Sequence, residues 1–281
     1  MGGRPSMEDR LVIYTTDKYM IAAVFDGHGG STVSDWLKEH FPQRLIQALE
    51  GLKEGVTIND QKNAIKECYQ DLDKELFDKL KQDKDTSGST AVVYLAIKYP
   101  NKEKREMLIN LGDSRAIVTK GKKVRLETKD HKPDNQAEKR RIEYHKGQVV
   151  DGRVWPYGYY KNAPGGLAVS RAFGDPHSKQ QDHNYFPGWI SAEPDVDEIS
   201  TEPGDYVVLA SDGLWDEMDS EKVANFIAKK SCQNIAKELV KNVQSILKPR
   251  PTQSPSETVR FFSGSTKDNI SVIVLRVAED K

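Results

Sequence analysis

Cysteine is nearly missing: among 281 residues there are only two, Cys68 and Cys232. Two thiols cannot build the disulfide framework on which small secreted domains depend. Neither lies near a histidine or the other cysteine at ligand spacing, so a zinc site is not expected. Neither has an arginine six positions later, which excludes a Cys-x5-Arg nucleophile loop and its covalent chemistry. Long apolar runs are missing too. The longest, residues 19–25 and 91–97, fall far short of the roughly 20 residues a membrane-spanning helix needs. No basic segment followed by an apolar stretch opens the chain, so no secretory leader is expected. An excess of charge is also lacking. Lys and Arg number 42 against 43 Asp and Glu, which argues against a polyanion-binding surface spread over the whole chain. The composition reads as that of an intracellular globular protein, cytoplasmic or nuclear.

What is present is a mixed α and β pattern. Two β-type runs at 11–14 and 19–25 flank Asp17-Lys18, and the second ends at Asp26-Gly27-His28-Gly29-Gly30. Val33, Leu37, Phe41, Leu45 and Leu49 then recur every four residues and predict a helix, with Pro42 as a break or kink. A second helix is expected over about 59–80, using Ile65, Tyr69, Leu72, Leu76 and Leu80. Strand character returns at 89–99, 105–111, 116–119 and 206–210. Helices are expected at 134–146, 220–230 and 233–247, and a final strand at 270–277. Residues 147–190 are rich in Gly, Pro, Tyr and Asn and predict a loop or flap. With no internal repeat and no separating linker, residues 1–281 read as one α+β domain of mostly antiparallel strands.

Aspartates recur where apolar strands meet turns: Asp26, Asp113, Asp212, and Asp268 just before the last strand. For any single one, turn formation is the sufficient explanation. Four in this pattern shift the balance, because carboxylates gathered at one rim repel unless a cation lies between them. A hard divalent ion, Mg²⁺ or Mn²⁺, is the natural occupant of an all-oxygen site. His28 stands two residues after Asp26, and an imidazole with an ordinary pKa of about 6.5 suits proton transfer near neutrality. Arg4 could fork onto a phosphate.

These residues sit within a longer series. Arg4-x-x-Met7-Glu8-Asp9, Asp26-Gly27-His28-Gly29-Gly30, Gly88-Ser89-Thr90-Ala91, Gly112-Asp113-Ser114-Arg115 and Asp130-His131-Lys132-Pro133 come first. Leu167 through Ser170-Arg171-Ala172-Phe173-Gly174-Asp175, Pro194-Asp195-Val196, Ala210-Ser211-Asp212-Gly213-Leu214-Trp215-Asp216 and Lys267-Asp268-Asn269 follow. In this order they resemble the motif set of the protein phosphatase 2C family, the metal-dependent serine/threonine phosphatases. Each string alone is weak, whereas nine in sequence are specific, and they cover nearly the whole chain.

The resemblance implies a four-layer α/β/β/α sandwich of two antiparallel sheets flanked by helices, with a dinuclear Mg²⁺ or Mn²⁺ site at one edge. It implies that Asp26 bridges both ions, that the Gly27 carbonyl binds one, and that Asp212 and Asp268 bind the other, with Glu8 and Asp9 nearby directly or through water. Asp113 and Asp216, together with Asp212, would form a weaker third position. Arg4 would hold the phosphate and His28 would be the general acid. Phosphoserine and phosphothreonine in proteins would be hydrolysed in one step by water activated between the ions. Phosphoprotein substrates are the expected partners, with neither nucleic acid nor a transmembrane segment, and the chain is expected to be monomeric.

Two rival classes share some of these features. A catalytically inactive scaffold of the same fold tends to lose metal carboxylates, and Asp26, Asp212 and Asp268 are all present. A metal-dependent nuclease needs a basic groove, for which Lys139-Arg140-Arg141 offers one small cluster, more simply a solvated helix face. The sequence also departs from the family pattern. Only three residues precede Arg4, so Arg4 and Glu8 are expected to lack the support of a preceding strand. Gly147-Gln148 stands where the family carries Gly-Gly. Met1-Gly2-x-x-x-Ser6 fits an acylation signal, but tethering Gly2 would tether the arm that carries Arg4.

Overall fold

The computed structural model describes residues 6–52, 56–100, 103–156, 166–181, 184–185, 188–230, 234–246 and 268–278. The central strands of its two large sheets are apolar at nearly every position, which is the pattern of a sheet covered on both faces rather than on one. The first sheet contains β1 (Arg10–Thr15), β2 (Tyr19–Phe25), β5 (Ala91–Lys98), β6 (Lys104–Leu111) and β14 (Asp195–Ile199), in the order β1-β2-β5-β6-β14. The second contains β7 (Arg115–Lys120), β8 (Lys123–Glu127), β15 (Tyr206–Ala210) and β16 (Val272–Arg276), in the order β16-β15-β7-β8. Every pairing between the described strands is antiparallel.

The two-residue period of a strand sorts these apolar side chains into layers. Ile21, Ala23 and Phe25 of β2, with Val93, Leu95 and Ile97 of β5, face α1 (Thr32–Glu50) and α2 (Ile58–Asp83). Their neighbours Ala22, Val24, Val92, Tyr94 and Ala96 point the other way and meet Ala116, Val118, Val207 and Leu209 of the second sheet. On that sheet's far face Ile117, Val208 and Ala210 pack against α5 (Ser220–Ile227) and α6 (Ile235–Ile246) through Val223, Ile227, Leu239 and Val243. The result is the four-layer α/β/β/α sandwich, an α+β fold.

Three local expectations change. Helix α1 runs uninterrupted through Pro42, which is buried beside Phe41 and Leu45, so packing of the apolar face outweighs the lost backbone bond. Helix α2 is longer than its periodicity suggests, because a capping box between Thr57 and Asp60 starts it and Lys84 ends it in a left-handed conformation. The flap contains a hairpin, β9 (Gly147–Val150) with β10 (Arg153–Pro156), preceded by α3 (Gln136–Tyr144). Gly147 has a packing reason: a Cβ there would lie 2.8 Å from Ile142 and 2.9 Å from Trp189. Residues 157–165, 182–183 and 186–187 of the expected flap lie outside the described residues.

The remaining strands are short: β3 (Gly27–His28), β4 (Gly88–Ser89), β11 (Phe173–Gly174), β12 (Gln180–Gln181) and β13 (Asn184–Tyr185). The first three form a sheet in the order β11-β4-β3. A four-residue helix, α4 (Asp212–Trp215), follows β15 directly. No helix among the described residues is long and apolar enough to cross a membrane.

Candidate active site

Strand register brings the aspartates to one edge of the sandwich. Arg10 pairs with Phe25, so the residues just beyond, Asp9 and Asp26, leave the first sheet side by side. Asp113 lies in the turn that carries the chain from β6 of the first sheet to β7 of the second. There, Ala210 pairs with both Arg115 and Val272, which places Asp212 just past one strand and Asp268 ahead of its neighbour on the same side.

Side chains and tight glycines lock these turns together. Thr90 N donates to Asp26 O at 2.9 Å, and the Thr90 and Ser114 hydroxyls lie 2.7 Å apart, which ties the Asp26 turn to the Asp113 turn. Asn269 acts as a clamp: its Oδ1 accepts from Glu8 N at 2.7 Å and its Nδ2 donates to Ser6 O at 3.0 Å. Ser34 Oγ donates to Glu8 O, and Arg10 donates to Met7 O and Asp9 O while forking onto Asp35 of α1. The 6–10 arm is therefore anchored by Asn269 and by Ser34 and Asp35 of α1. Gly27 is required because the arm passes so close: a Cβ at 27 would lie 2.5 Å from Glu8 O. Gly213 is required by Asn269, whose carbonyl oxygen would be 2.1 Å from its Cβ.

Electrostatics confirms the crowding. Burial, followed by the charges of Asp212, Asp9, Asp113 and Asp268, pushes the Asp26 carboxyl well above the usual carboxylate range. Asp212 is pushed up to about 7 by burial and by Asp113, Asp216 and Asp268. Burial likewise raises Asp9, and burial with Asp113 raises the more exposed Asp216. Lys132 offsets part of this by donating to Asp113 Oδ2, and its ammonium is held above its ordinary value, against the effect of burial, by Asp113, Asp212 and Asp216.

Among the described residues no three His, Cys, Asp or Glu side chains stand in a ready-made metal-holding arrangement. The donor chemistry nonetheless fits a hard cation. Asp9 is only 3% exposed and both its carboxylate oxygens lack a hydrogen-bond partner, an unfavourable state for a buried anion unless a cation meets it. The structure thus gathers Asp9, Asp26, Asp113, Asp212, Asp216 and Asp268. The Glu8 carboxylate accepts from Ser6 Oγ at 3.2 Å. Arg4 lies outside the described residues.

His28 stands at the same edge, on β3, and its Nε2 lies 2.9 and 3.0 Å from the two carboxylate oxygens of Asp175. Burial opposes the charged ring, but the Asp175 carboxylate outweighs it and raises the imidazole pKa. The sequence alone gives Asp175 and Lys132 no task, although both fall inside the family motifs. It also gives no sign of a chain of contacts from the flap to the Asp113 turn. Glu138 of α3 accepts from Arg171, and Arg171 donates to Asp195 Oδ1 at 3.0 Å. Asp195 Oδ2 stands 3.2 Å from His131 Nε2, and His131 Nδ1 accepts from Gly112 N at 3.1 Å. Burial works against the Glu138 carboxylate, yet the Arg171 and Arg141 guanidiniums bring it down to about 2. The His131 contact leads in lowering Asp195 to about 2. No spacing in the sequence signals these pairs.

Comparison with known proteins points in one direction. The profile described as "PP2C: Protein phosphatase 2C" matches residues 2–247. The chain is 36% identical over 232 residues to "Probable protein phosphatase 2C 55" of Oryza sativa subsp. japonica, covering 80% of this chain and 55% of that protein. It is 31% identical over 289 residues to "Probable protein phosphatase 2C member 13, mitochondrial" of the same organism, covering 100% of this chain and 67% of that one. The chain therefore spans between about half and two thirds of the length of these relatives. Among solved structures, "Crystal structure of a phosphatase from a pathogenic strain Toxoplasma gondii" superposes with a TM-score of 0.74 at 24% identity, covering 97% of this chain and 89% of that chain.

Proposed function

The chain belongs to the protein phosphatase 2C family, and from that premise we propose that it hydrolyses phosphoserine and phosphothreonine esters of proteins with the help of Mg²⁺ or Mn²⁺. The observation that carries this reading is the convergence of Asp9, Asp26, Asp113, Asp212, Asp216 and Asp268 on one sheet edge, with the carboxyl pKa values of Asp9, Asp26, Asp212 and Asp216 raised and the Asp9 oxygens orphaned. Asp26, Asp212 and Asp268 would be the principal holders of two ions, helped by the Gly27 carbonyl and by Glu8 and Asp9. Asp113 and Asp216, with Asp212, would make a weaker third position. When bound, such ions supply an acidified water and shield phosphate charge.

The chain's own residues would do the rest. His28, whose imidazole pKa Asp175 raises, would give its proton to the serine or threonine oxygen as the P–O bond breaks, since that alkoxide leaves poorly without one. Arg4 would orient the phosphate by a forked contact. Residues 1–281 would act as a single, monomeric catalytic domain with a variable flap at about 147–190, and phosphoproteins would be its partners. The intact acidic cluster favours an enzyme over an inactive scaffold. The name of the second relative adds the mitochondrion to the cytoplasm and nucleus as a compartment to consider.

Turnover of a phosphoserine peptide tests the reading. Activity should require Mn²⁺ or Mg²⁺ and vanish with a chelator; undiminished turnover after chelation would overturn it.

A further inference from the structure

Helix α2 carries a carboxylate into the interior that the reaction above does not use. Asp73 and Lys179 are both buried, with side chains 0% and 1% exposed, and Lys179 Nζ lies 2.8 Å from Asp73 Oδ1. Desolvation cancels much of the attraction in such a pair, so what it holds in place matters more than its strength. It holds the segment 172–179. Asp73 Oδ1 also accepts from Gly174 N at 2.8 Å, and Lys179 Nζ also donates to Ala172 O at 2.6 Å.

Asp175 lies between these two anchors in a left-handed conformation, with φ of 51°. Aspartate tolerates this region better than most residues other than glycine, and here its neighbours fix it in place. Its N–H donates to Ser87 O at 3.0 Å, and its carbonyl accepts from Ser178 N at 2.9 Å and from Ser178 Oγ at 2.8 Å. The outcome is a carboxylate set against His28 Nε2. The β11-β4-β3 register places His28 opposite Gly88 and Gly88 opposite Gly174, so the histidine–aspartate contact crosses directly over residue 88. A Cβ on Gly88 would lie 2.3 Å from Asp175 Oδ2 and 2.4 Å from His28 Nε2.

We propose that Asp73 and Lys179 are positioning residues for the phosphatase reaction, pinning the 172–179 turn so that Asp175 keeps the His28 ring aimed at the leaving oxygen. Gly88 leaves the space that this contact needs. The inference rests on His28 acting as the general acid.

The test replaces the buried pair by apolar side chains of similar volume, Asp73→Leu with Lys179→Met, a change a fold commonly tolerates. Steady-state kinetics on a phosphoserine peptide and on p-nitrophenyl phosphate, whose leaving group needs no proton, are compared with those of His28→Gln. The expected result is a kcat on the peptide lowered about tenfold or more with KM unchanged, while kcat on p-nitrophenyl phosphate stays within about twofold. Equal losses on both substrates, where His28→Gln is selective for the peptide, would overturn the positioning role alone. Equal losses in His28→Gln itself would overturn the general-acid reading. Should the apolar pair not fold, Asp73→Asn keeps the side-chain shape and reads the same ratio; a selective loss on the peptide supports the proposal and an unselective one refutes it.

Discussion

Asp212→Asn should reverse the sign of its effect on stability when a divalent cation is added. In the cation-free fold the Asp212 carboxyl is pushed up to about 7 from an ordinary value of 3.8. Between those values the folded chain keeps a proton that the unfolded chain has released. The unfolded state thus binds fewer protons, and stability falls as pH rises through the interval. Roughly three pH units at about 1.4 kcal/mol each give a loss of about 4 kcal/mol by pH 8 from this one group. Asparagine keeps the shape and omits the charge, so the cation-free variant should be the more stable protein by up to about 4 kcal/mol at pH 8, and by roughly 2 kcal/mol at pH 5. With Mn²⁺ at about a hundred times its dissociation constant, the wild type should gain about 2.7 kcal/mol per bound ion by mass action, so that two ions, about 5.4 kcal/mol, outweigh the penalty of about 4 kcal/mol at pH 8. The variant should lose most of that gain together with its turnover. Urea unfolding at pH 5 and pH 8, with chelator and with Mn²⁺, measures all four cases. A cation-free variant less stable than wild type at pH 8, or equal stabilisation of both proteins by Mn²⁺, would refute the reasoning.

Three further outcomes are expected. His28→Gln should lose on the order of 10²-fold or more on phosphoserine peptides and little on p-nitrophenyl phosphate, with cation affinity by calorimetry nearly unchanged; small, equal losses would make His28 a bystander. Asp113→Ala should lower turnover while sparing tight cation binding in the same calorimetric measurement, and loss of both tight ions would show that Asp113 belongs to the main site. Gly213→Ala adds a Cβ 2.1 Å from Asn269 O, so the residue that clamps Glu8 N and Ser6 O must move. Cation affinity should fall roughly tenfold, about 1.4 kcal/mol, although no carboxylate is removed, and an unchanged affinity in the folded variant would count against the clamp.

Much of the layering was legible in the chain itself. Runs such as Ala91 to Ile97, apolar at every position, require cover on both faces, and the four-residue spacing of Val33, Leu37 and Phe41 supplies one of the covers. The aspartates at strand ends were legible for the same reason: a turn after a strand is a local event, set by residues within a few positions of one another. Pro42 and the β9–β10 hairpin show where local rules stop, because burial against distant partners outweighs a lost backbone bond in one case and irregular composition in the other.

Which of those aspartates meet, and what stands beside them, was decided only in three dimensions. Lys132 reaches Asp113, Asp175 reaches His28 across 147 positions, and Lys179 reaches Asp73 across 106. Such contacts depend on strand register and on the close passage of backbone past Gly27, Gly88 and Gly213. Periodicity records whether a residue is buried and where the chain turns. It does not record which buried charge answers which, since that follows from how the layers close on one another.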